Sequence, residues 1–118
     1  MLKIFVLMLS WLAAPGFAQA ACADLDVAGL KRLAATRQVT PVIFFASWCG
    51  ECVVHLRQTP APGTVLIATF DTREAAEHVI KHFGVTMPCY LDRGIAAAYA
   101  VKSVPVTLRL DRDAAVLK

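Results

Sequence analysis

Two cysteines, Cys49 and Cys52, stand two residues apart at the end of the stretch FFASWCGEC, residues 44–52. Thiols at that spacing can hold a metal, staple the chain or exchange as a dithiol–disulfide couple. What positions them decides between these. Residues 42–46 (VIFFA), opened by Pro41, form a continuous apolar run of strand length, as expected of a strand buried on both faces. Residues 49–59 suit a helix that ends before Pro60. A cysteine at such a strand-to-helix junction meets the free N–H groups and partial positive charge of the helix amino terminus, and both stabilise a thiolate. Cys49 is therefore expected to be the exposed nucleophile, ionising below the free-thiol value of about 8.5. Cys52, one turn inward, is placed to attack a mixed disulfide on Cys49 and to serve as the buried resolving thiol. Trp48 would flank the first sulfur and limit its access to solvent. Glu51 carries a charge that opposes thiolate formation and pulls the couple toward the reducing end; its plainer reading is a solvated first-turn acid. His55, three residues after Cys52, could shuttle a proton to the resolving thiol; its plainer reading is a surface histidine.

The rest of the chain alternates strand and helix signals. Asp24-Leu25-Asp26 offers N-caps for a helix to about Arg37, with Val27, Leu30, Leu33 and Ala34 on one face. Residues 64–70 (TVLIATF) read as a second buried strand. Asp71 is expected to cap a helix over 72–83 that Gly84 stops. Residues 87–91 suit a short extended segment, 95–101 a short helix, 106–110 a half-exposed strand and 114–118 a last short strand. This order predicts an α/β fold around a central sheet, with a right-handed parallel crossover between the first two buried strands. Cys49 then falls at the carboxyl edge of the sheet, where sites in open α/β folds form.

The first twenty residues have another character. Lys3 precedes the apolar run 4–14 (IFVLMLSWLAA), Pro15-Gly16 breaks it, and Ala18-Gln19-Ala20 matches a signal-peptidase site. The run is short of the roughly 20 residues that span a bilayer. Residues 1–20 are expected to be a cleaved secretory signal and 21–118 the domain, periplasmic or secreted; the second reading of 1–20 is an uncleaved membrane anchor and the third a lipoprotein signal ending at Cys22, where Gln19 suits a lipobox poorly. The 118-residue chain has a net charge of +3, and without Lys3 it keeps eleven basic and nine acidic residues. No basic block supports a nucleic-acid partner. All four cysteines, Cys22, Cys49, Cys52 and Cys89, lie after the expected cleavage point, in a compartment where disulfides persist. Cys22 and Cys89 are open to three readings: buried small hydrophobes, a second disulfide, or a further redox role.

The stretch Phe44-Phe45-Ala46-Ser47-Trp48-Cys49-Gly50-Glu51-Cys52, followed by Ser103-Val104-Pro105-Val106-Thr107, resembles the thioredoxin superfamily. With the signal and the segment 85–92 (VTMPCYLD), it is similar to the exported TlpA/ResA/DsbE-type thiol–disulfide oxidoreductases. The resemblance covers roughly residues 27–117. It implies a thioredoxin-like three-layer α/β/α fold with a central mixed sheet, and Cys49 and Cys52 as nucleophile and resolver. It also implies a cis Val104–Pro105 bond facing them, with the Val104 backbone offered to a substrate strand. It implies reduction of protein disulfides, in cytochrome c maturation (apocytochrome c as substrate) or related envelope tasks. The redox disulfide would be the only cofactor, and electrons would come from a membrane thiol donor of the DsbD/CcdA type.

Four positions depart from the family pattern. Glu51 stands where thioredoxins usually have proline. His55 stands where several exported relatives carry glutamate. Cys89 falls where an apolar residue is common. After residue 110 too few residues remain for the usual C-terminal helix, so either the domain is expected to be trimmed or truncated there, or the face that helix covers is expected to meet a partner; an uncovered face would be an apolar patch.

Two rival functions share the cysteine pair. A DsbA-like oxidase has the same chemistry at a potential of roughly −120 mV instead of roughly −270 mV. A copper(I) or zinc protein would use Cys49, Cys52 and His55. His78 and His82, four apart, share a helical face with Glu74, Glu77 and Lys81 that reads as solvated. No metal is expected.

Overall fold

The computed structural model describes residues 21–58 and 60–118, and the expected signal at 1–20 lies outside them. Nine elements follow in order: β1 (Cys22–Leu25), α1 (Val27–Ala34), β2 (Thr40–Phe45), α2 (Gly50–Arg57), β3 (Val65–Ala68), α3 (Arg73–His82), β4 (Cys89–Asp92), α4 (Ile95–Ala98) and β5 (Val106–Leu110). The strands form one mixed sheet in the order β1-β4-β3-β2-β5, parallel except for the β2–β5 pair. Among the described residues no helix is long and apolar enough to cross a membrane.

The period-2 alternation of a strand sends β2 side chains to both faces, and each face builds its own core. Ile43 and Phe45, with Leu66 and Ala68, pack under Cys52 and Leu56 of α2 and Ala76, Val79 and Ile80 of α3. Val42 and Phe44, with Val65 and Ile67, pack against Leu30 and Ala34 of α1 and Ile95 and Ala96 of α4. The result is three layers, helices on both sides of the sheet, in a thioredoxin-like α/β/α arrangement.

Local signals set the helix ends. The Asp26 carboxylate accepts from Gly29 N at 2.8 Å and caps α1. At the end of α3, Gly84 takes a positive φ of 62°, and its N–H and that of Val85 close onto the carbonyls of Lys81 and Ile80. That is the glycine-terminated helix end expected from the sequence.

Three local expectations change. Cys22-Ala23-Asp24-Leu25 is an edge strand and not part of a helix entry; only Asp26 caps. The cap of α3 is Thr72, whose hydroxyl accepts from Ala75 N, while Asp71 turns its carboxylate elsewhere. The last expected strand is reduced to a single bridge, Leu110 to Val116. No helix follows β5 among the described residues. On the α2/α3 side β5 presents Thr107 and Arg109, register partners of Ile43 and Pro41 and both exposed. At those two positions the sheet presents polar side chains. The segment after β5 is tied down by Tyr99, whose hydroxyl donates to the Ala114 carbonyl at 2.5 Å. Burial, and then the nearby Asp111 charge, push the Tyr99 pKa upward.

Candidate active site

β2 ends at Phe45, and four residues carry the chain to α2. Cys49 is the N-cap of that helix, with extended backbone (φ −96°, ψ 108°). Its Sγ accepts from Cys52 N at 3.1 Å, the bond an N-cap side chain makes to the third helical residue. The two sulfurs are joined in a disulfide, with Cα atoms 5.2 Å apart. Cys52 is fully buried, and Cys49 is 8% exposed. Cys49 is thus the more open of the pair, yet far less exposed than the sequence suggests, because the oxidised sulfur is folded inward against Val104 and the helix start.

Facing the pair is the 103–107 segment. The Val104–Pro105 bond is cis, and the Val104 carbonyl oxygen lies 3.8 Å from Cys49 Sγ. Both residues are half-buried. Trp48 is 65% exposed and donates its indole N–H to the Phe70 carbonyl at 2.9 Å. The indole N–H is thereby tied to the end of β3. Phe70, 51% exposed, adds a second aromatic surface there. Gly50 is exposed, and a Cβ placed on it would meet nothing within 4 Å, so packing does not demand glycine at this position. Glu51 is exposed in the first turn of α2, where its charge complements the helix dipole. His55 is exposed in the last turn, and no hydrogen bond joins it to either sulfur.

Asp71 is a residue of the site that the sequence reading placed elsewhere. Its carboxylate accepts from Ser47 N at 2.6 Å and Ser47 Oγ at 2.9 Å, and also from Thr72 N. A carboxylate immediately after a buried strand at the sheet's carboxyl edge was the available signal. Its cap-like position ahead of a helix concealed it. Asp92 behaves similarly: it accepts from Thr69 Oγ1 and from Ile95 N and Ala96 N, joining β3 to the start of α4.

Cys22 and Cys89 form a second disulfide, Cα atoms 4.6 Å apart, between register partners on β1 and β4. His78 and His82 stack with ring centroids 5.8 Å apart on an exposed face of α3. Among the described residues no three His, Cys, Asp or Glu side chains gather in a way that would hold a metal ion.

A mixed sheet of this order, with a disulfide at the helix start after its central strand and a cis-proline segment opposite, defines a thioredoxin-fold protein with a CxxC pair. Solved structures of that fold that it matches include disulfide oxidoreductases. StoA from Bacillus subtilis aligns with 23% identity over 69% of this chain and 71% of its own, at a TM-score of 0.57. A secreted Mycobacterium tuberculosis disulfide oxidoreductase, homologous to E. coli DsbE, aligns with 19% identity over 73% and 69%, also at 0.57. The thioredoxin domain of a Bacteroides vulgatus thiol–disulfide oxidoreductase aligns with 14% identity over 86% and 87%, at 0.59. No protein-family model matches the sequence, and neither does any curated protein.

Proposed function

We propose that this protein is an exported thiol–disulfide oxidoreductase that reduces protein disulfides through Cys49 and Cys52. The observation that carries the reading is the N-cap geometry. The Cys49 sulfur already accepts a helix N–H at 3.1 Å, so in the reduced protein a thiolate there meets a donor and a helix dipole already in place.

The reaction runs in two exchanges. The Cys49 thiolate attacks one sulfur of a substrate disulfide, forms a mixed disulfide and expels the other substrate sulfur as a thiolate. Cys52, three residues on in the same helix, then attacks Cys49 Sγ, closes the intramolecular disulfide and releases the second substrate sulfur. Two electrons pass to the substrate, and its two thiolates take up protons. A dithiol donor resets the pair by the same exchange in reverse. The Val104 backbone beside Cys49, with Pro105 following, receives the extended substrate segment. Trp48 and Phe70 border that approach. Gly50 leaves the space in front of the helix start open. Glu51 holds the couple toward the reducing end, whereas His55, exposed in the last turn of α2 and without a hydrogen bond to either sulfur, plays no positioned acid–base part.

The similarity to DsbE-like and secreted oxidoreductases, with the signal-like residues 1–20, supports a periplasmic or secreted location. It also supports an electron donor of the DsbD/CcdA type and a role in cytochrome c maturation or envelope thiol balance. Insulin reduction by dithiothreitol tests the activity. The protein should accelerate it, and Cys49→Ser should return the rate to that of dithiothreitol alone. A potential near −120 mV after equilibration with glutathione would instead indicate an oxidase.

A further inference from the structure

We propose that Asp71 is a positioning residue for Cys49, acting through Ser47; the inference rests on the redox reading above. Residues 46–49 have one backbone hydrogen bond among themselves, Cys49 N to Ala46 O at 3.2 Å. The rest of the hold on this turn comes from the end of β3. Thr69 N donates to Phe45 O at 2.8 Å, Trp48 Nε1 donates to Phe70 O, and the Asp71 carboxylate takes both Ser47 N and Ser47 Oγ. Bonds to an ionised carboxylate are the strong members of that set. Thr72 N donates to the same carboxylate and fixes its direction from the other side.

The backbone is bent to make this grip. Phe70 sits at φ 57°, the left-handed region that a bulky residue rarely occupies. That bend lets residue 70 present its carbonyl to Trp48 while residue 71 presents its carboxylate to Ser47. Strain of this kind persists only where the surroundings over-determine it, and four hydrogen bonds from residues 69–71 to residues 45–48 do so. Ser47 is two residues before the N-cap. Its tether therefore sets how Cys49 Sγ meets Cys52 N at 3.1 Å and Val104 O at 3.8 Å. Without the carboxylate, Ser47 N loses its partner and the turn is free to shift, and the thiolate loses alignment with its donor.

The alternative role for a carboxylate near a thiolate is charge alone, and it predicts the opposite sign. Removing a nearby negative charge favours the thiolate and speeds its reactions. The experiment is the rate of iodoacetamide alkylation of Cys49 at pH 7 in the reduced full chain, followed by mass spectrometry, for wild type, Asp71→Asn and Asp71→Ala. Asparagine keeps an oxygen for Ser47 N and an amide group that donates to Ser47 Oγ, and gives up only the bond from Thr72 N, which does not touch Ser47. Positioning predicts wild-type behaviour within about twofold for Asp71→Asn, and alkylation slower by about tenfold for Asp71→Ala, the change that one unit of thiol pKa produces. Faster alkylation in both variants, an equal loss in both, or no change in Asp71→Ala would each overturn the proposal. Should Asp71→Ala fail to fold, Asp71→Ser, too short to reach both Ser47 groups, replaces it with the same expectation. A wild-type Cys49 no more reactive than free cysteine would fail the redox reading itself; a reactive wild type with an equally reactive Asp71→Ala fails only this inference.

Discussion

The molecule carries two disulfides on one side of one sheet; both are buried, and they differ in what lies beside the sulfurs. Cys22, Cys89, Leu66, Ile43 and Thr107 share a single row across the strands. Cys22–Cys89 occupies the end of that row, inside the strand ladder, and neither of its cysteines caps a helix. Its flanking backbone is held by α3: Glu77 accepts from Cys22 N, and Arg73 donates to Cys22 O and to the Asp24 carboxylate. Cys49–Cys52 lies beyond the end of β2, at a helix amino terminus, with a neighbouring backbone carbonyl and two exposed aromatics. On the proposed function the same bond is a staple in the first place and a reactive group in the second, because only the second offers a thiolate stabilising donors and an approach.

The sharpest way to break this contrast is at the two cysteine pairs. Cys49→Ser should abolish insulin reduction, whereas Cys52→Ser should trap a mixed disulfide with substrate, visible on non-reducing gels. Normal turnover in Cys49→Ser would end the distinction. The double variant Cys22→Ser/Cys89→Ser should do the reverse. It opens a loop with a sequence separation of 67 and should lose about 4 kcal/mol of stability by the chain-entropy relation, measured by urea unfolding. Turnover per folded molecule should be unchanged. A large fall in turnover at full stability would make the second pair a working redox site.

Finer effects should map to the exposed flank of α2. Glu51→Gln removes one exposed charge and should lower the Cys49 alkylation midpoint by at most about half a unit; a rise would contradict the electrostatic sense given to Glu51. His55→Ala should slow resolution in single-turnover assays by far less than the roughly hundredfold a positioned acid or base supplies. A hundredfold loss would place the histidine against the sulfur in the reduced state.

What the sequence made legible follows from range. The VIFFA run, the cysteine spacing, the Gly84 stop and the alternation in 106–110 are each written within a few residues, and the strand, helix start, helix end and half-exposed strand are where those patterns put them. β1 was not legible. Cys22-Ala23-Asp24-Leu25 has no strand pattern of its own, and it is a strand because β4 and the α3 side chains Arg73 and Glu77 hold it, some fifty to seventy residues away. Asp71 misled for the same reason. A carboxylate before a helix suits a cap by local rules, and only the fold shows that Asp71 turns to Ser47, 24 positions back.

The central claim is that the helix start acidifies Cys49, and the pH dependence of its alkylation in the reduced protein tests it most directly, with Cys52 as internal comparison. The midpoint for Cys49 should fall at least about one unit below the free-thiol value near 8.5, with Cys52 reacting later. A Cys49 midpoint at the free-thiol value, or Cys52 labelled first, would contradict it.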